Sequence, residues 1–61
     1  MVVDIRRERE RRGLSQRMTA DFIGCSQSYL SMLENGRRKV TVSIAKRLGS
    51  LYGVKWYDFF E

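Results

Sequence analysis

Gln27 and Ser28 stand side by side, each with groups that donate and accept hydrogen bonds, and three consecutive cations, Arg37, Arg38 and Lys39, follow beside Gly36. Such a set breaks no bonds. It suits non-covalent recognition, in which polar side chains read a hydrogen-bonding surface and cations displace counterions from a polyanion. The groups that catalysis needs are missing: the chain has no histidine, a single cysteine, Cys25, and no glycine-rich phosphate loop. The sequence therefore predicts no enzyme, no metal site, no cofactor and no small-molecule ligand. Cys25 has no base or cation pattern beside it and reads as a small packed side chain. The charge balance agrees, since 12 Lys plus Arg against 7 Asp plus Glu leave a net +5. A nucleic acid is the economical partner for that charge, although a basic face that only keeps the protein in solution has the same composition.

The elements that position these side chains are helical. Proline is absent and the β-branched residues are scattered, so no alternating stretch is long enough for a convincing strand. The reading is all-α, with Gly13, Gly24, Gly36 and Gly53 each following a candidate helix. Helix 1 is expected from about Val3 to Arg12, anchored by Val2 and Ile5. Its charges pair locally, Glu8 with Arg11 and Arg12 and Asp4 with Arg7, so this arginine-rich face reads as largely self-neutralising. Helix 2 starts after the N-cap Ser15 and ends at Ile23, with Thr19, Ala20 and Ile23 inward. Helix 3 starts near Ser26 and runs to Glu34 or Asn35, with Leu30 and Leu33 three apart on its inner face. Between them there is room only for a tight turn.

After the basic loop, Thr41 is the expected N-cap of helix 4, Val42 to Tyr52, whose inward set is Val42, Ala45, Leu48 and Tyr52. Gly49 lies inside that helix, where it costs helix propensity, so close backbone packing is the expected reason for it. A last segment, Lys55 to Phe60, contributes Trp56, Phe59 and Phe60 to close the core. At 61 residues the chain has room for one domain, residues 1–61, of modest stability. With one cysteine it has neither disulfide nor metal staple within the chain, which makes self-association as a homodimer an expectation.

Taken together, Gly13, Leu14, Ser15 and Gln16 opening helix 2, Ala20, Ile23 and Gly24 at the turn, Ser26, Leu30 and Leu33 in helix 3, and Glu34, Asn35 and Gly36 closing it resemble a known pattern. It is that of the Cro and phage-repressor type of helix-turn-helix domain, also called xenobiotic-response-element-like, and it covers nearly the whole chain. The resemblance implies a compact five-helix, lambda-repressor-like fold with its helix-turn-helix unit at about residues 15–35. It also implies a transcription regulator that binds double-stranded DNA, with helix 3 in the major groove.

In that setting Gln27 and Ser28 occupy the first exposed turn of the reading helix, where a glutamine can pair bidentately with adenine N6 and N7. Ser31 and Met32 are implied as further base-reading positions, Met32 by apolar contact. Phosphate contacts are expected from Ser15 and Gln16 at the helix 2 N-terminus, from Tyr29, and from Asn35, Arg37, Arg38 and Lys39. The resemblance further implies a structural ion pair between Arg9 and Glu34. The chain departs from the pattern at Thr19, where leucine is usual, and at Glu8, Met18 and Val40.

A second reading stays open, that of an antitoxin-like or accessory protein-interaction module whose exposed Met18, Phe22 and Tyr57 bind another protein. The absence of a secretory leader pattern and of any membrane-length apolar run leads to the expectation of a cytoplasmic protein, nucleoid-associated when bound.

Overall fold

The computed structural model describes residues 2–60, which form four α-helices and one short 3-10 helix. The α-helices are α1 (Ile5–Arg11), α2 (Gln16–Ile23), α3 (Gln27–Glu34) and α4 (Val42–Tyr52), and the 3-10 helix is Trp56–Phe59. No described residue lies in a strand, and no helix among the described residues is long and apolar enough to cross a membrane.

Each α-helix starts where a short polar side chain satisfies one of the amides left open in the first turn. Asp4, Ser15, Ser26 and Thr41 accept hydrogen bonds from the backbone N–H of Arg7, Met18, Tyr29 and Ile44, at 3.1, 3.0, 3.0 and 3.2 Å. Capping corrects two expectations for α1. The helix begins at Ile5 and not Val3, and Asp4 serves the Arg7 amide as N-cap. Val2 is exposed, and Val3 instead packs against the core, its amide donating to the Asp58 carbonyl at 3.0 Å. That bond ties the two ends of the chain together.

The turn between α2 and α3 depends on Gly24, whose φ of +75° lies in the left-handed region that side chains with a Cβ avoid. Arg47 of α4 closes the same end by donating to the Ile23 carbonyl at 2.8 Å, a cation at the negative end of the α2 dipole.

The core is built from Ile5, Ala20, Ile23, Leu30, Leu33, Ala45, Leu48, Tyr52 and Phe59, so every described helix contributes to it. The 3-10 helix packs on α4, and the contact is close. A Cβ on Gly49 would meet the Val54 carbonyl oxygen at 2.6 Å and the Trp56 nitrogen at 3.3 Å, so the helix propensity lost to glycine gives way to this approach.

The fifth segment is a single 3-10 turn of four residues without a side-chain cap, which corrects the expected fifth helix to four α-helices plus one 3-10 turn. Of its aromatics only Phe59 is buried; Trp56 and Phe60 stay at the surface, edge-on to one another at 6.2 Å. In α4 it is Ile44, not the exposed Val42, that packs against the core.

Thr19 is fully buried, and its Oγ1 and the Tyr52 hydroxyl are buried without a hydrogen bond. Burial pushes the Tyr52 phenol above its ordinary value, opposed by the adjacent Thr19 hydroxyl, although the two oxygens do not meet in hydrogen-bonding geometry. An unsatisfied buried hydroxyl costs free energy that an isosteric methyl does not. Thr19→Val is expected to stabilise the fold by about 1 kcal/mol, a rise of roughly 4 °C or more in melting temperature for a domain of this size. A lower melting temperature would mean that the hydroxyl has a partner.

Candidate nucleic-acid interface

Helix α3 is divided along its length. Leu30 and Leu33 face the core, Gln27 and Ser28 are exposed in the first turn, and Ser31 and Met32 are half-buried one turn later. Tyr29 is half-buried and packs against the core cluster. Beyond α3, Asn35 is the C-cap, and Gly36, Arg37, Arg38 and Lys39 form an exposed loop. At the start of α2, Ser15 is exposed and Gln16 half-buried. The opening amides of α2, Gln16 and Arg17, have no intrahelical acceptor and lie at the positive end of its dipole.

The side-chain carboxylate of Glu34 organises these elements. It has no exposed surface. Arg9 of α1 grips it with both arms of its guanidinium, Nε to Oε2 at 2.6 Å and Nη2 to Oε1 at 3.2 Å, the bidentate geometry that suits arginine and carboxylate. Arg9 also donates from Nη1 to the Leu14 carbonyl at 2.9 Å, which fixes the loop between α1 and α2. Burial pushes the Glu34 carboxyl up, but hydrogen bonds and charge from Arg9, Gln16 and Arg6 outweigh it and hold the group below its usual value. Glu34 in turn raises Arg9 through their shared hydrogen bonds. The sign follows from linkage: a depressed carboxyl contributes its stability above the unfolded value of about 4.3 and loses it as pH falls through the lower folded value.

The network continues outward to the exposed face of α3. Gln16 donates from Nε2 to Glu34 Oε1 at 3.0 Å, and Gln27 donates from Nε2 to Gln16 Oε1 at 3.3 Å. Because a carboxylate only accepts, Gln16 must turn its nitrogen inward and its oxygen outward, and that oxygen then selects the nitrogen of Gln27. The Gln27 oxygen and its second N–H are left for an external partner. At the far end of α3, Arg6 donates from Nη2 to Asn35 Oδ1 at 2.7 Å, and Asn35 donates from Nδ2 to Ser31 Oγ at 3.4 Å.

The side-chain bridge through Gln16 was not legible in the sequence, where Gln16 reads only as a phosphate contact; it needs the crossing of α2 over α3 to exist. Arg6 likewise reads as part of a solvated face until its contact with Asn35 is known. Cys25 is half-buried in the turn, where burial pushes its thiol above the ordinary value. Among the described residues no group of three or more Cys, Asp and Glu side chains is placed to hold a metal ion.

Comparison with known proteins adds independent findings. A family model described as helix-turn-helix matches residues 5–59. An uncharacterized helix-turn-helix-type transcriptional regulator, YqaF, of Bacillus subtilis (strain 168) is 33% identical over 57 residues, which span 93% of this chain and 75% of that relative. No solved structure matches the chain.

Removing one partner of a buried pair leaves the other charge uncompensated, which is worse than never having had the pair. Arg9→Ala is therefore expected to destabilise the fold by about 3 kcal/mol, a large share of what a domain this small possesses. Thermal unfolding followed by circular dichroism checks this, and an unchanged midpoint would refute the structural weight given to the pair.

Proposed function

Because the chain belongs to the Cro/C1-type helix-turn-helix family of transcription regulators, we propose that it binds double-stranded DNA sequence-specifically, as a homodimer, with α3 in the major groove. The observation that carries this reading is the division of α3. Its apolar residues are used by the core, while its first turn offers Gln27 and Ser28 to the outside, with Gln27 held in orientation by Gln16 and Glu34. A major groove admits one α-helix and presents donor and acceptor patterns that such side chains can match.

In this reading Gln27, Ser28, Ser31 and Met32 meet base edges. The free oxygen and second N–H of Gln27 suit adenine N6 and N7, and the Met32 side chain suits a thymine methyl. Ser15, Gln16, Tyr29, Asn35, Arg37, Arg38 and Lys39 meet the sugar-phosphate backbone, where they set register without reading sequence. As a two-fold dimer the protein would place its two recognition helices about 34 Å apart, on half-sites one helical turn from one another.

A second reading, a protein-interaction module on the same fold, is favoured by one observation: Met18 and Phe22, one turn apart on α2, are 59% and 57% exposed. The two readings separate by experiment. In fluorescence anisotropy with a labelled random-sequence duplex, DNA binding gives a log affinity that falls linearly with log salt, by about 0.9 for each phosphate neutralised. Neutralising Arg37, Arg38 and Lys39 together is expected to flatten that slope and weaken all sequences alike. Gln27→Ala is expected to relax preference at one base position by roughly 1 to 3 kcal/mol. Absence of salt-dependent binding would favour the interaction module, and a sequence-independent loss from Gln27→Ala would remove that residue from base reading.

A further inference from the structure

We infer that Arg6 is a further DNA-contacting residue, through which α1 grips a phosphate beside the C-terminal end of α3; this rests on the reading of α3 as the recognition helix. One carboxylate, that of Glu34, faces two guanidiniums. Arg9 satisfies it with two bonds, the shorter at 2.6 Å, and is itself only 11% exposed. Arg6 reaches the same carboxylate only at 3.5 Å, from a side chain that is 46% exposed. One positive charge is therefore left over, and it resides on the more exposed partner.

The contact that holds Arg6 does not neutralise it. Its Nη2 donates to Asn35 Oδ1 at 2.7 Å, and an amide oxygen carries no net charge. Asn35 is the C-cap of α3 and leads through Gly36 into the exposed Arg37, Arg38 and Lys39. Arg6 therefore extends that cationic strip from the loop onto α1. The other arginines toward the end of α1 are used differently: Arg11 and Arg12 pair with Glu8 at 3.2 and 2.7 Å, and Arg12 also donates to the Tyr52 carbonyl.

Orientation adds to charge. With one arm on Asn35 and Nε turned toward Glu34, the guanidinium plane is held before any ligand arrives. Its remaining arm, Nη1, makes no hydrogen bond among the described residues and can meet a phosphate oxygen in the planar geometry that arginine favours. A side chain ordered in advance loses less freedom on binding. Arg6 also lies at the negative end of the α3 dipole, where any cation is favourable. A purely structural role is thus the competing explanation, and the test must separate the two.

Arg6→Gln keeps a donor for Asn35 and removes the charge. In anisotropy titrations with a random-sequence duplex, the variant is expected to show a slope of log affinity against log salt shallower by about 0.9. Its affinity deficit against the unmodified protein then narrows about 3.5-fold between about 50 and about 200 mM salt. The loss should be equal for all sequences, and Arg6→Lys should restore the slope. A merely structural residue changes the melting temperature without changing the slope of the folded protein. If Arg6→Gln melts below the assay temperature, Arg6→Met, which keeps the aliphatic stem, carries the same expectation. An unchanged slope in a folded, charge-removed variant overturns the inference alone. Failure of the unmodified protein to bind duplex with any salt dependence overturns the recognition reading, and this inference with it.

Discussion

Burying the Glu34 carboxylate is the constraint from which the rest of the arrangement follows. A charge withdrawn from water is costly unless its partners meet it closely and fill its lone pairs, and here the partners come from other elements. Arg9 and Arg6 are supplied by α1 and Gln16 by α2, while the carboxylate itself ends α3. The three helices cannot shift relative to one another without exposing or orphaning that charge. With nine buried hydrophobic residues among the described ones, apolar packing alone is non-directional and leaves helix orientation loosely specified. The ion pair supplies the direction. Its net energy is modest, since desolvation offsets much of the attraction, but the penalty for a wrong arrangement is large.

That constraint reaches the outer surface through donor and acceptor logic. An acceptor-only carboxylate dictates which end of the Gln16 amide points inward, and Gln16 dictates the same for Gln27. A glutamine at a helix surface ordinarily samples several rotamers, and fixing one costs entropy at the moment of binding. Here part of that cost is met on folding, so the interior holds an exposed side chain in orientation before any partner arrives. In the proposed reading, stability and base recognition are coupled through Glu34, because the carboxylate that Arg9 neutralises also orients Gln27 through Gln16.

Most of the fold was legible from local chemistry. Ser15, Ser26 and Thr41 read as caps because a short polar side chain before an apolar period has one common use, and the left-handed Gly24 reads as the turn for a similar reason. The errors lie where tertiary packing decided. Asp4 reads as an ion-pair partner for the Arg7 side chain, but its carboxylate accepts from the Arg7 backbone N–H instead, as the N-cap of a helix that starts two residues later than expected. Trp56 and Phe60 look like core from their bulk, but the 3-10 turn directs only Phe59 inward and leaves the other two at the surface. For the candidate site, the residue types at the α3 surface were visible in sequence. Their connections were not, because Gln16 and Gln27 are 11 residues apart and Arg6 and Asn35 are 29 apart, separations that carry no local signal.

The same sorting explains why net charge alone says little about the interface. Of the 12 Lys and Arg residues, several serve the fold: Arg9 neutralises Glu34, Arg12 and Arg47 donate to the carbonyls of Tyr52 and Ile23, and Arg11 pairs with Glu8. Lys46 and Lys55 lie over the rings of Trp56 and Tyr57 at 5.5 and 5.7 Å, where a cation gains from the aromatic face. Arg37, Arg38 and Lys39 make no side-chain hydrogen bond or ion pair among the described residues, and all three follow directly on α3. A polyanion meeting this surface encounters cations that the fold has not already satisfied, grouped after the C-terminal end of α3, one helix length from its exposed first turn. It is this placement, more than the excess of five charges, on which the proposal that the α3 side meets a phosphate backbone rests.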